Sequence, residues 1–408
     1  MNCRFCENPL THEFADLVNS PPSNSYLCTE QLNAPEIFFP LRVFVCEKCF
    51  LVQIDEYKKA DEIFDENYAY FSSFSTSWLA HSKKYVEMMT ERFGLGEDSQ
   101  VIEIASNDGY LLQYFAEKNI KVLGIEPTLS TAQAAREKGI ESWTEFFGVK
   151  LAEKLVSENR QADLLLGNNV LAHVPDLHDF VGGLKIALKT NGVVTMEFPH
   201  VLQLIENNQF DTIYHEHFSY LSLHTVKEIF ASKGLEVFDV EELTTHGGSL
   251  RVFAKHAENE THEQSENVEK LLEKEKQFGL TQLKYYLDFQ PKVEKVKNDL
   301  LTFLLEQKRV GKRVAAYGAA AKGNTLLNYC GVKKDLIDFV VDASPHKQGK
   351  FLPASHIPIV DESFIRREKP NFILILPWNI KEEIFEQLKY IRDWDGKFAV
   401  AVPLLEIN

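Results

Sequence analysis

The chain has 408 residues, with 44 Lys and Arg against 60 Asp and Glu, a net charge of −16. That length predicts roughly two to four domains, and 44% apolar with 25% charged residues excludes wholesale disorder. The acidic balance argues against broad electrostatic binding to nucleic acid or anionic membranes. No apolar run is long enough to cross a bilayer, and the opening MNCRFCENPL has no signal-peptide core, so a cytoplasmic protein is expected.

The first 66 residues read as a metal-binding lobe. Four of six cysteines form two CxxC pairs, Cys3/Cys6 and Cys46/Cys49. A CxxC turn places both sulfurs on one side of a tight loop, and two such turns complete a tetrahedron of thiolates for zinc. Four thiolates leave no open coordination position, so the metal is expected to staple a lobe too small to hold itself. Cys28 and Cys330 stand outside the pattern. A polar aromatic segment follows, NYAYFSSFSTSW (67–78), then a predicted helix from Trp78 to Phe93.

From residue 100 the pattern alternates between strands and helices. VIEIA (101–105), KVLGIE (121–126), ADLLLGNN (162–169) and GVVTMEF (192–198) are apolar runs typical of buried parallel strands, so a doubly wound α/β domain is expected over 67–257. Residues 258–309 read as a solvated helical connector. Strand–helix alternation resumes with RVAAYGA (313–319), LIDFVVDA (336–343) and NFILILP (371–377), predicting a smaller α/β domain over 310–408.

Three motifs carry chemistry. In EIASNDGYLL (103–112) a strand ends, a turn bears Ser106, Asn107, Asp108 and Gly109, and a helix begins. Free N–H groups and a close backbone approach suit a nucleotide-like ligand, with Glu103 and Glu126 as acids at strand ends. The spacing fits NAD or S-adenosylmethionine. The absence of a full GxGxxG and the presence of an acid, which repels a diphosphate and welcomes an ammonium, favour the latter. NNVLAHVPDL (168–177) sets Asn168, Asn169 and His173 at the carboxyl end of another strand, where open α/β sheets bind ligands. YHEHFSY then packs Tyr214, His215, Glu216 and His217 together. If extended, it puts the two histidines on one face, and either a metal site or a histidine base with a neighbouring carboxylate and tyrosine is possible.

Taken in order, the CxxC knuckles, EIASNDGYLL, NNVLAHVPDL, EFPHV, YHEHFSYLS, HGGSLRVF and AYGAAAKGNTLLNY closely resemble the nucleotide-sugar C-methyltransferases, over essentially the whole chain. The resemblance implies a zinc lobe, a Rossmann-like methyltransferase domain, a helical connector and a second Rossmann-like domain. It implies S-adenosylmethionine-dependent methylation of a 4-keto deoxysugar, linked to a nucleotide such as dTDP, at carbon 3. His217 is then the expected base, with Glu216 orienting it or binding sugar. Tyr214 and His173 are candidates for the keto oxygen, and Tyr68, or else Tyr70, is an active-site tyrosine. Lys322 and Asn324 at a strand–helix junction, and Arg251, are candidate substrate contacts, and Phe146 or Trp143 is a candidate for stacking on adenine. The competing readings are an NAD-dependent sugar-nucleotide oxidoreductase and a zinc module that holds nucleic acid.

Overall fold

A computed structural model describes residues 1–57 and 71–408. The apolar runs do become buried parallel strands. Ser142–Trp143, Lys121–Ile125, Gln100–Ile104, Ala162–Asn168 and Leu188–Pro199 lie side by side in that order, all parallel. Ser249–His256 and Leu235–Leu243 complete a seven-stranded sheet in antiparallel sense. The chain reverses its direction of winding between Gln100–Ile104 and Ala162–Asn168, which opens a crevice at their carboxyl ends. The helix Thr76–Phe93 begins at a Ser75 cap, whose hydroxyl accepts from the Trp78 amide, and stops at left-handed Gly94.

A second, six-stranded sheet is built from the C-terminal part of the chain. Ile359–Val360, Val340–Val341, Val314–Tyr317, Phe372–Ile375 and Lys397–Val400 run parallel, with Glu406–Ile407 antiparallel at one edge. The protein is thus an α/β chain with two Rossmann-like units and a small lobe.

That lobe is a four-stranded sheet of His12–Ser20, Phe39–Val45, Val52–Ile54 and Ser219–Tyr220. Its last strand comes from the middle of the chain. Beside the sheet the two knuckles are built alike. The residue after each CxxC, Glu7 or Phe50, has a left-handed backbone, and its N–H returns to the carbonyl of the first cysteine, at 3.0 Å for Cys3 and 2.9 Å for Cys46. The sulfurs meet across the knuckles, Cys3 with Cys49 at 3.6 Å and Cys6 with Cys46 at 3.5 Å, all four within 4.8 Å of one another. A zinc ion about 2.3 Å from each sulfur of a tetrahedron needs neighbouring sulfurs roughly 3.8 Å apart, so the donor set fits. Gln53 Nε2 donates to Cys3 Sγ at 3.2 Å, an outer contact of the kind that orients a ligand.

The charged stretch after residue 258 is helical, over Glu266–Phe278, Leu283–Leu287 and Gln290–Arg309, but it is not simply a solvated connector. Its apolar stripe (Tyr286, Val293, Leu300, Phe303) is buried in a core shared with the N-terminal lobe and the C-terminal domain. One acid on it is buried too. Glu275 accepts from His200 Nε2 at 2.7 Å and from the backbone amides of Leu223 and His224 at 2.7 and 2.9 Å. Charged residues between apolar ones conceal such a face from inspection of composition alone.

Two outcomes follow. Purified protein should carry one zinc per chain, and Cys49→Ser should lose it together with thermal stability, whereas Cys28→Ser, at an exposed cysteine outside the cluster, should keep both. Metal analysis and a melting curve check this. Glu275→Ala strands three buried donors and should cost about 3 kcal/mol or more in unfolding, while the exposed Glu273→Ala should stay within about 0.5 kcal/mol.

Candidate functional site

The crevice widens into a cavity of about 460 Å³ bounded by both α/β domains and the N-terminal lobe. One wall is the turn after Gln100–Ile104. Ala105, Asn107 and Gly109 all have positive φ, so the backbone is held in a tight, strained loop. Gly124 is required beside it, because a Cβ there would sit 2.3 Å from the Ser106 hydroxyl oxygen. Glu126, at the end of the next strand, accepts from the Asn107 amide at 2.9 Å and the Thr128 amide at 2.8 Å. Burial raises its carboxyl above the usual range despite those bonds. Glu126, Asn107, Asn168, Asn169 and Phe146 line the cavity together.

Glu103 lies beneath them, wholly buried, with its carboxyl pushed well up by burial and within hydrogen-bonding reach of Tyr110. Glu103 makes no part of the cavity wall. Ser106 and Gly109 shape the turn rather than line the cavity. Asp108 points elsewhere: its carboxylate pairs with Lys138 at 3.0 Å, so it is not the acid offered to a ligand. Trp143 is also turned away, covered by the Lys154 and Arg160 cations 4.2 and 5.4 Å from its ring.

The YHEH segment is not extended. The His217 amide bonds back to the Tyr214 carbonyl at 2.9 Å, closing a turn. Tyr214, Glu216 and His217 therefore line the cavity, while His215 is buried away from it against the N-terminal lobe, with Nε2 3.2 Å from the Pro40 carbonyl. The two histidines cannot share a metal. Among the described residues, the four cysteines are the one cluster with ligand atoms close enough for an ion.

His217 is held in one tautomer. Its Nδ1 lies 2.8 Å from the Thr212 carbonyl and must donate, which leaves the lone pair on Nε2. The ring packs on Tyr214 at 4.0 Å and meets His173 edge-on at 4.7 Å. Burial, then the proximity of His173, holds its pKa well below the ordinary value, so it stays neutral. Burial likewise lowers His173 to about 4, although its ring donates to the Glu216 carbonyl.

Several residues of the cavity were not singled out from the sequence. His246 is a non-glycine at φ 52°, with its Nε2 3.0 Å from Asn169 Nδ2 and its pKa lowered by burial to about 4. The glycines of HGGSLR (246–251) are the sequence signal for this tight loop, and Arg251 is the charged side chain at the other end of the same motif. Arg251 is buried and neutralised, 3.0 Å from Glu197 and 2.9 Å from Glu241, and makes no part of the cavity wall. Asn324 is buried as well, donating to the Ser23 carbonyl at 2.6 Å.

Lys322 does reach the cavity. Its ammonium donates to Asn379 Oδ1 at 2.5 Å and lies 4.6 Å from the Trp378 ring centroid. Trp378 in turn donates to Asp211 at 2.8 Å, and burial pushes that carboxyl up to about 6. Lys347 lines the same side. The cavity is acidic at the Glu126 end and cationic at the Lys322 end. Tyr68 and Tyr70 lie outside the described residues.

The depressed histidines carry a consequence for stability. Their folded-state pKa lies below the unfolded value of about 6.5, so the unfolded chain binds more protons, and stability rises with pH and is lost as the pH falls below about 6.5. The melting temperature should hold above pH 6.5 and drop between pH 6.5 and 4, with a shallower slope in His246→Gln.

Three family models match successive stretches: "Putative zinc binding domain" at residues 3–64, "Methyltransferase domain" at 79–240 and "C-methyltransferase C-terminal domain" at 244–403. The C-methyltransferase NovU of Streptomyces niveus is 34% identical over 401 residues, covering 98% of this chain and 95% of its own. Among solved structures, a protein of Pyrococcus horikoshii aligns with a TM-score of 0.37 at 13% identity, over 50% of this chain and 99% of its own. An S-adenosylmethionine-dependent methyltransferase from Clostridium acetobutylicum aligns with 0.36 at 12%, over 43% and 91%. Scores this low carry no weight. The NovU match spans both chains almost end to end and agrees with the order of zinc lobe, methyltransferase domain and C-terminal domain: this chain belongs to the sugar C-methyltransferase family, as an S-adenosylmethionine-dependent C-methyltransferase with a zinc-binding lobe.

Proposed function

We propose that the protein methylates carbon 3 of a nucleotide-linked 4-keto deoxysugar, with dTDP as the nucleotide. The supporting observation is that one cavity joins a neutral histidine with a defined lone pair, a carboxylate and a tyrosine to an acidic cofactor end and a cationic end. A hydrogen α to a ketone is weakly acidic, and a positioned base removes it when the developing oxyanion is stabilised. In this reading His217 Nε2 takes the proton from carbon 3, and the electron pair moves into the carbonyl to give an enolate. Tyr214 offers a hydrogen bond to that oxygen, while His173, whose single ring N–H is given to the Glu216 carbonyl, braces the His217 ring edge-on; Glu216 holds the sugar or orients the imidazolium. Tyr68, with Tyr70 as the alternative, is assigned on the resemblance alone.

Bound beside that carbon, S-adenosylmethionine would supply an electrophilic methyl on its sulfonium. Asn107, Glu126, Asn168 and Asn169 are the residues that would hold it, with Glu103 in the layer beneath them. Lys322 and Lys347 would face the diphosphate, where a fixed cation is matched to anionic oxygens. Isolation from water by the cavity walls strengthens each of these interactions.

Incubation with S-adenosylmethionine and a panel of 4-keto sugar nucleotides should give one product heavier by one methyl. His217→Asn should abolish both methyl transfer and deuterium exchange at the α carbon while leaving cofactor affinity intact; near-normal turnover would remove His217 from the role of base. Because burial lowers the His217 pKa, the neutral base persists to lower pH than an exposed histidine. Activity should therefore be flat from pH 8 down to 6.5 and fall only below that, and an acid limb centred at 6.5 or higher would contradict the assignment.

A further inference from the structure

The chain after strand His12–Ser20 leaves the N-terminal lobe and crosses to the C-terminal domain before returning at Phe39. Several contacts fasten it there, Glu36 with the Ala354 amide and the His356 ring among them. Asn324 Nδ2 donates to the Ser23 carbonyl at 2.6 Å, and the Tyr26 hydroxyl donates to the Ala319 carbonyl at 2.6 Å. Leu27 and Phe351 exchange backbone hydrogen bonds of 3.0 and 2.9 Å, and the Lys347 ammonium lies 5.5 Å from the Tyr26 ring. Between these anchors Asn24 enters the cavity, where its Nδ2 donates to Glu216 Oε1 at 2.7 Å.

That bond joins residues 192 positions apart and bridges two parts of the fold. Glu216 occupies the turn that carries His217, and its carboxylate is buried among the cavity walls. A side-chain carboxylate rotates easily about its last bonds, so a role beside a reacting sugar needs something that selects one orientation. An amide donor does this without cancelling the charge, as a lysine or arginine in the same place would.

We propose that Asn24 is a positioning residue: its amide fixes the Glu216 carboxylate, and the docked loop carries the placement of the N-terminal lobe and C-terminal domain into the catalytic turn. This rests on Glu216 as the substrate-facing carboxylate of the proposed function. Asn24 touches no reacting atom in that scheme.

Two arms test the proposal separately from the substrate. In the first, infrared difference titration of the substrate-free enzyme follows the Glu216 band, assigned by its loss in Glu216→Gln. Removing a hydrogen bond to the ionised form should raise its midpoint by about one unit in Asn24→Ala. Asn24→Asp, which keeps the size and replaces the donor by an acceptor, should raise it further. His173, His217, Lys322 and Lys347 share the cavity and Tyr26 lies nearby, and all stay constant between variants. An unchanged midpoint in both variants overturns the proposal.

In the second arm, kinetics use the sugar nucleotide that the wild-type enzyme methylates. Asn24→Ala should lower kcat roughly tenfold, leave KM for S-adenosylmethionine unchanged, and cost nothing more when added to Glu216→Gln. Multiplying losses in the double variant overturn the proposal, because Asn24 would then act by another route. If no 4-keto sugar nucleotide is methylated, the proposed function fails while the infrared arm still decides the role of Asn24.

Discussion

The N-terminal lobe sits between two α/β domains, and the cavity depends on that position. One side of the lobe, with Phe14, Leu17 and Val43, joins a core that also contains the connector helices and the C-terminal domain. The other side, with Cys3, Cys46, Cys49 and Leu51, joins the core under the seven-stranded sheet. A sheet with strands as short as Val52–Ile54 buries too little to define such a wedge alone, and four thiolates converging on one point supply the missing constraint. The metal-binding cluster lies outside the cavity but determines where two of its walls stand.

Charge within the cavity is ordered along one direction. Glu126 lies at a strand end, Lys322 and Lys347 on the C-terminal domain, and three histidines kept neutral by burial share the lining. An excess of 16 negative charges over the whole chain is compatible with this, because the cations are local and fixed. Lys322 shows how the fixing is done: an amide oxygen and an indole face hold it, with Asp211 one residue further away. The proposed substrate, neutral at its sugar and anionic at its diphosphate, would find each part matched.

Much of this was legible in residue order. Val101–Ala105 and Ala162–Asn169 are apolar without alternation, which only a doubly covered strand tolerates, and the CxxC spacing states its geometry directly. The rest depended on contacts between distant residues. Which side chains of Tyr214–His217 share a face depends on whether the segment is extended, and only the closing bond of the His217 amide decides that it is a turn. Arg251 reads as an available cation until Glu197 and Glu241 are seen on either side. Asn24 is an ordinary loop residue until its partner, nearly two hundred positions away, is placed beside it.

The strand Ser219–Tyr220 follows directly on the turn that bears His217, and it pairs with Val52 and Gln53. Closing that pair requires a loop of more than 160 residues, and such long-range pairing is entropically costly and slow to find. During synthesis the lobe emerges first but lacks its fourth strand until the central sheet is almost complete. The turn at Tyr214–His217 therefore acquires its shape late, after two separately built regions meet, and an unfinished chain holds the cavity-lining residues up to Asn169 before His217 is in place.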